Sequence, residues 1–265
     1  MTDRMLVFVP AYNCESQIGR VLDQLEAPWV ATVVEQVVVV NNRSTDGTEA
    51  LVRKRMAERG DRFITLLRND DNYGLGGSHK VAFDYARAQG FDWLIVLHGD
   101  DQGSIADFRE HLTAGRHAGL DAMLGSRFMP GADTPGYSAF RIFGNHVFNA
   151  IYSLCLGKRI RDLGAGLNLY RVAALDAAQY HRHPDNLTFN CVLLASQVIA
   201  GRNIAFVPIS WREDDQVSNV KLVRQSFQTL YIALHALFGR TGFGAAEHRE
   251  QPRDRYTSTL IDDQI

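Results

Sequence analysis

The chain has 265 residues, 46% of them hydrophobic and 22% charged, with a formal net charge of -2. That balance fits one soluble globular domain with a full core and gives no support to a general nucleic-acid binder. The three cysteines, Cys14, Cys155 and Cys191, lie far apart and form neither a zinc spacing nor a disulfide framework, so a cytoplasmic setting is expected.

Leu6 to Val9 reads as a buried first strand, strand-length and closed by Pro10, unlike a signal peptide. Pro10-Ala11-Tyr12-Asn13 is a turn, and Ser16 is a candidate cap for a helix to about Leu25. Val33 to Val40 is β-branched, as in a parallel strand buried on both faces. It runs into a polar loop, Asn41 to Thr48, and a helix near Glu49 to Glu58. Arg62 to Leu67 is a third strand, followed by a loop from Asn69 to Gly77 and a helix near Ser78 to Ala88. Trp93 to Leu97 is the fourth strand. Strands alternating with helices predict a doubly wound α/β sheet with ligand loops at the strand ends.

The second half is less regular. Ile105 to Ala118 reads as helix, Ala122 to Leu124 as a short strand, and Met129 to Tyr137 as a loop. Ala139 to Leu156 is a long apolar-rich helix, followed by a basic cluster of Lys158, Arg159 and Arg161. Gly166 to Tyr170 is a strand, Leu187 to Ala200 a helix, Asn203 to Pro208 a strand, and Leu222 to Phe238 an amphipathic helix. No apolar run approaches the roughly 20 residues that span a bilayer. The expected organisation is one domain over 1–240, with a first half to about 102 that carries the regular strand-end ligand loops and a less regular half beyond it. Residues 241–265 read as a polar, flexible tail.

The fourth strand ends in His98-Gly99-Asp100-Asp101-Gln102. Carboxylates at the carboxyl edge of a buried strand sit where open α/β sheets bind ligands. In extended backbone His98, Asp100 and Gln102 point the same way. Imidazole, carboxylate and amide oxygen suit a divalent metal that also binds phosphate oxygens. The plain alternative is a solvated acidic turn. Gly74, Gly76 and Gly77 can cradle a phosphate, or serve only as turn residues. Asp46-Gly47-Thr48 also reads as a helix cap, and Asn41-Asn42 as an ordinary turn or a base contact.

In order along the chain stand VPAYNCE, NNRSTDGT, NYGLGGSHKVAFDYA, HGDDQ, GSRF, DLGAGLNLYR and PISWRE with SNVK. This series resembles the family 2 glycosyltransferases, which have a GT-A fold, over about residues 4 to 238. It is most similar to the branch containing dolichyl- and polyprenyl-phosphate sugar synthases. The resemblance implies a nucleotide-sugar donor and Mg²⁺ or Mn²⁺. It places the nucleotide-sugar at Pro10, Ala11, Tyr12, Glu15, Asn41, Asn42, Asp46, Gly74, Gly76, Lys80, His98, Gly99, Asp100 and Arg127. Metal contacts fall on Asp100, Gln102 and His98, which replaces the family's first aspartate. The family's nucleoside site is usually acidic. Here Asn41-Asn42 stand at one part of it and Glu15 is displaced by one residue, which leaves the base open. Asp100, Asp101 and Arg127 are the implied catalytic residues, Arg127 lying near the donor diphosphate.

The family's chemistry is inverting transfer. A sugar hydroxyl acceptor needs a general base, and the stretch where the family carries one, Leu187 to Cys191, has no acid. A phosphate acceptor needs none. It needs cations, for which Arg161, Arg212 and Lys221 are the candidates. The expected function is therefore metal-dependent transfer to a polyprenyl phosphate. A saccharide acceptor with Asp185 or Asp214 as base, and a nucleotide-sugar-binding protein without activity, stay open. The apolar faces of the helices at 139–156 and 222–238 suit core packing, homo-oligomer contacts or the inner face of a membrane. His181 and His183 suggest a metal pair only weakly, without a carboxylate or thiol partner, and read as a polar loop.

Overall fold

The computed structural model describes residues 3–213 and 222–261. In chain order the elements are β1 (Met5–Ala11), α1 (Glu15–Leu25), β2 (Gln36–Asn41), α2 (Thr48–Arg59), β3 (Ile64–Asn69), α3 (Gly74–Ala88), β4 (Trp93–Leu97), α4 (Arg109–Thr113), β5 (Ala122–Ser126), α5 (Ala139–Leu156), β6 (Leu167–Arg171), α6 (Ala177–Tyr180), α7 (Phe189–Ile199), β7 (Ile204–Pro208), α8 (Leu222–Phe238) and β8 (Ser258–Ile261). The strands form one mixed sheet in the order β7-β5-β6-β4-β1-β2-β3-β8. Neighbours are parallel within β4-β1-β2-β3 and between β5 and β7; β6 runs antiparallel between β4 and β5.

Side chains alternate across a strand, so the valine-rich strands feed two cores. Leu6, Phe8, Val38, Val40, Leu94 and Val96 face one side, where Val81, Phe83, Tyr152, Val192 and Ile232 of α3, α5, α7 and α8 cover them. Met5, Val7, Val9, Val37, Val39 and Ile95 face the other, against Ile18, Val21 and Leu22 of α1 and Val52 and Met56 of α2. Each such side chain contributes about 1.5–3 kcal/mol on leaving water. This double cover is what fixes the strand register and therefore the strand ends.

Several expectations are corrected. The run at Gly74, Gly76 and Gly77 belongs to α3 and is not a loop. The helix expected over Ile105 to Ala118 is a 3-10 turn followed by the short α4, and it stops before Gly115 and Gly119, both at positive φ. Ser16 lies inside α1, whose N-cap is Cys14. The tail also departs from the flexible segment expected. Tyr256 is buried, and β8 pairs antiparallel with β3 from Asn69–Ser258 to Leu66–Ile261. Isolated polar sequence hid this, because an edge strand needs only backbone partners and one or two packed side chains.

Candidate active site

The topology brings the carboxyl ends of β1, β2, β3, β4, β5 and β7 to one edge, together with the start of the antiparallel β6. Among the described residues, three other than glycine adopt positive φ: Asn13 (49°), Arg43 (66°) and Asp101 (59°). They follow β1, β2 and β4 at that edge. Such strain persists where surrounding contacts over-determine it, and it clusters at ligand sites.

Beyond β4 the backbone is held on both sides: His98 N–H donates to the Gly166 carbonyl (3.1 Å) and Gly99 N–H to the Pro10 carbonyl (3.1 Å). A Cβ on Gly99 would come within 2.8 Å of that oxygen, so only glycine lets β4 pass β1 so closely. The His98 ring lies beside Gly166, with ring centroids 6.4 Å from His79 and 6.5 Å from Trp211. Its Nε2 is buried and has no hydrogen-bond partner among the described residues. Burial, helped by the Arg127 charge, pushes its pKa down to about 4, so the ring is neutral.

Asp100 follows. Its Oδ1 accepts the Gln102 N–H (3.3 Å). Burial pushes its pKa up to about 6, and the adjacent Asp101 charge adds to this. Such a carboxylate fits a site that a bound cation would relieve. Gln102 donates its Nε2 to the Arg212 carbonyl (3.0 Å), which leaves its amide oxygen as an acceptor. No group of three or more His, Cys, Asp or Glu side chains able to hold a metal occurs among the described residues. Asp100, the Gln102 oxygen and the His98 ring remain together at this turn as the candidate metal contacts.

Asp101 differs from its neighbour. It is 1% exposed, and its carboxylate accepts from Arg20 Nε (2.5 Å), Gln24 Nε2 (2.8 Å) and Arg212 Nη2. It stands as a counter-ion to the two arginines. Arg127 is likewise committed: Nε and Nη2 each lie 2.8 Å from the Asp162 carboxylate, and its guanidinium stacks 5.3 Å from the Trp211 ring. Asp162, Arg20 and Gln24 were not singled out from the sequence. Arg20 and Gln24 sit one helical turn apart on α1, a spacing that carries no signal until Asp101 is placed between them.

On the other flank, the loops after β1 and β2 are stitched together. Asn13 Oδ1 accepts the Thr45 N–H (2.8 Å), Glu15 accepts the Gly47 N–H (2.9 Å), and Asp46 accepts from Thr48 and from the Glu15 N–H (3.1 Å). Asn41 and Asn42, 1% and 5% exposed, are spent inside: Asn41 holds Glu49 and the Ser44 N–H, and Asn42 holds Asn69, Asn72 and the Tyr73 N–H. In this arrangement they brace the two loops. Pro10 and Ala11 are buried within β1, whereas Tyr12 projects, 47% exposed, at the edge.

In α3, a Cβ on Gly76 would lie 2.2 Å from the Pro184 carbonyl, and one on Gly74 2.5 Å from that of Asp185. Gly76 N–H already donates to the Asp185 carbonyl (2.8 Å). These glycines admit the 184–186 segment. Gly76→Ala is expected to cost about 1–3 kcal/mol by overpacking, read as a lower urea midpoint. Lys80 is fully buried, its ammonium held by Asp185 (2.5 Å), the His183 carbonyl (2.6 Å) and Tyr256 Oη (2.9 Å), and it is not presented to a donor. That pairing also takes the Asp185 carboxylate. His183 is buried, not a polar loop residue. Arg161 is half-buried, its carbonyl accepting from Ser126 of β5 and Asn149 of α5, and Lys221 and Asp214 lie outside the described residues.

Residues 6–178 match the family model Glycosyl transferase family 2. The chain is 26% identical over 222 residues to the polyprenol monophosphomannose synthase of Mycolicibacterium smegmatis, covering 80% of this chain and 78% of the relative. It is 27% identical over 217 residues to the undecaprenyl-phosphate mannosyltransferase of Micrococcus luteus, covering 79% and 84%. Among solved structures it resembles the Mycobacterium tuberculosis glucosyl-3-phosphoglycerate synthase in complex with Mn²⁺, UDP and glucosyl-3-phosphoglycerate, with TM-score 0.58 and 16% identity, covering 98% and 87%. At that identity the likeness speaks to the fold.

Proposed function

This chain belongs to glycosyl transferase family 2 and is a glycosyltransferase, and on that premise we propose that it moves a sugar from a nucleotide-sugar to a polyprenyl phosphate with inversion. The observation that carries the reading is the turn after β4, where Asp100 and the Gln102 oxygen stand at the edge that also receives Arg127 and Arg212. Asp100 and Gln102 would hold Mg²⁺ or Mn²⁺. Such an ion supplies charge stabilisation to a leaving diphosphate. Tyr12 at the end of β1 offers a face to the nucleoside.

The acceptor phosphate oxygen forms the new bond to the anomeric carbon as the bond from that carbon to the donor phosphate breaks. The electron pair leaves with the nucleoside diphosphate. A phosphate acceptor is ionised already and needs no base, which agrees with an Asp185 carboxylate occupied by Lys80 and Tyr256. Arg161, Arg212 and Lys221 are the proposed phosphate contacts. The relatives' names, a polyprenol and an undecaprenyl-phosphate transferase, support the acceptor class.

The two long helices support a place at a lipid surface. Tyr152 and Cys155 turn into the core, and Tyr152 Oη donates to the Thr229 carbonyl (2.9 Å), locking α5 to α8. Phe140, Phe143 and Leu154 of α5 and Phe227, Tyr231 and Phe238 of α8 remain largely exposed. Neither helix contains an acidic residue. No helix among the described residues is long and apolar enough to cross a membrane.

Purified protein, incubated with Mn²⁺ or Mg²⁺, a panel of UDP- and GDP-sugars and a short polyprenyl phosphate in detergent, is expected to yield lipid-linked sugar with one donor. Transfer to saccharides and none to lipid phosphate would refute the acceptor; no turnover with any donor and acceptor would refute the whole reading.

A further inference from the structure

We propose that Asp101 is a positioning residue that makes the diphosphate side of this site depend on a metal ion, because its carboxylate sets a negative charge against Arg20 and Arg212 beside the metal-holding turn. The inference rests on the nucleotide-sugar reading of the same site.

Asp101 adjoins Asp100, the carboxylate offered to the metal. It is buried and sits in the left-handed region, so its side chain turns away from the course of β4 and into a junction of three segments. From α1 come Arg20, whose Nη1 also donates to the Ser16 carbonyl (2.8 Å), and Gln24. From the segment after β7 comes Arg212, which meets both the Asp101 carboxylate and, through Nε, its carbonyl (3.0 Å). The same segment exchanges backbone and side-chain bonds with Gln102: Arg212 N–H donates to the Gln102 carbonyl (3.0 Å), and Gln102 Nε2 to the Arg212 carbonyl. The acid therefore fixes the residues on both sides of the metal-holding turn.

The charges are arranged with the acid inside and the guanidiniums outside. Arg20 and Arg212 are 46% and 42% exposed, whereas Asp101 is sealed beneath them. The Asp101 carboxylate sets a negative charge against both guanidiniums, directly beside Asp100. Asparagine at this position keeps the left-handed backbone at little cost and retains hydrogen bonding. It removes one negative charge next to Asp100, whatever else Arg20 and Arg212 touch. The turn then repels a divalent ion and attracts a diphosphate directly. Removing the arginine charges while Asp101 stays shifts the balance the other way.

The experiment is calorimetric binding of UDP and GDP, with Mn²⁺ and with EDTA, to wild type, Asp101→Asn and the double variant Arg20→Gln/Arg212→Gln. Wild type is expected to bind one nucleotide with Mn²⁺ and weakly without. In Asp101→Asn the ratio of Mn²⁺ to EDTA affinity is expected to fall roughly tenfold or more, through tighter metal-free binding. In the double variant the ratio is expected to rise. A purely structural role would lower both affinities together and leave the ratio alone. Metal-dependent binding by wild type with an unchanged ratio in the variants, or with both moving the same way, overturns the inference by itself. No binding of either nucleotide to wild type overturns the nucleotide-sugar reading. Should Asp101→Asn fail to fold, the double variant carries the same test, since both arginines reach solvent and a ratio that does not rise there refutes the proposal.

Discussion

Replacing Asp100 by alanine or asparagine is expected to lower metal-dependent transfer by on the order of a thousandfold, the scale of several kcal/mol that a metal contributes to charge developing on a leaving group. The fold is expected to survive. In the absence of metal the Asp100 carboxyl is a liability: burial, with Asp101 beside it, holds its pKa at about 6, above its usual value. A carboxyl whose folded pKa is raised loses stability for the fold as pH climbs from its unfolded value through about 6. At neutral pH, Asp100→Asn is therefore expected to raise the Tm of the metal-free protein and to remove the further rise that Mn²⁺ and nucleotide give wild type. A variant that lost activity together with Tm would point to misfolding. A variant that kept more than about a tenth of wild-type transfer would place the metal elsewhere.

The pattern that led to Asp100 was legible because it combines two strong signals, a buried apolar strand and an abrupt acidic end. Val37 to Val40 and Leu94 to Leu97 could be placed from composition alone, since only a strand covered on both faces is so uniformly apolar. The α5 and α8 bounds were legible for the same reason in helical form. The partners of the charged residues were not. Asp101 lies 81 residues from Arg20 and 111 from Arg212, and Arg127 lies 35 from Asp162. No local rule says which arginine will face solvent and which will be spent on a carboxylate. Asn41-Asn42 and Gly74 to Gly77 are a different case. The amides of Asn41 and Asn42 do hydrogen-bond and the glycines do admit a close approach, but the partners seen are the protein's own loops. The 184–186 segment and the tail, both remote in sequence, fill the space that a ligand was expected to occupy.

The Lys80 hub shows how far that internal partnering goes, and it carries the largest expected loss of stability. Its ammonium sits among Asp185, the His183 carbonyl and Tyr256, whose ring lies 4.4 Å away and whose hydroxyl donates to Asp185 (2.7 Å). One buried charge thus ties α3 to the 181–188 segment and to the tail that ends in β8. Asp185→Ala leaves that charge without its counter-ion and is expected to cost about 3–5 kcal/mol. Replacing both members by apolar residues of similar size, as in Lys80→Met/Asp185→Leu, is expected to restore much of it. The pH dependence follows from the sign of the shift. Burial, opposed by Asp185, pushes the Lys80 pKa down to about 8 from its usual 10.5. Between those values the unfolded chain binds more protons than the folded one. Stability from this group is therefore flat below about pH 8 and rises as pH climbs toward 10.5, by on the order of 3 kcal/mol in all. In Asp185→Ala the opposing carboxylate is gone, so the rise starts at lower pH; in Lys80→Met it vanishes. Urea midpoints between pH 7 and pH 10 read all three curves. Because the ammonium faces the 181–188 segment and the tail, the folded fraction of Asp185→Ala is expected to bind nucleotide with wild-type affinity. A weakened affinity at full folding would return Lys80 and Asp185 to the donor site.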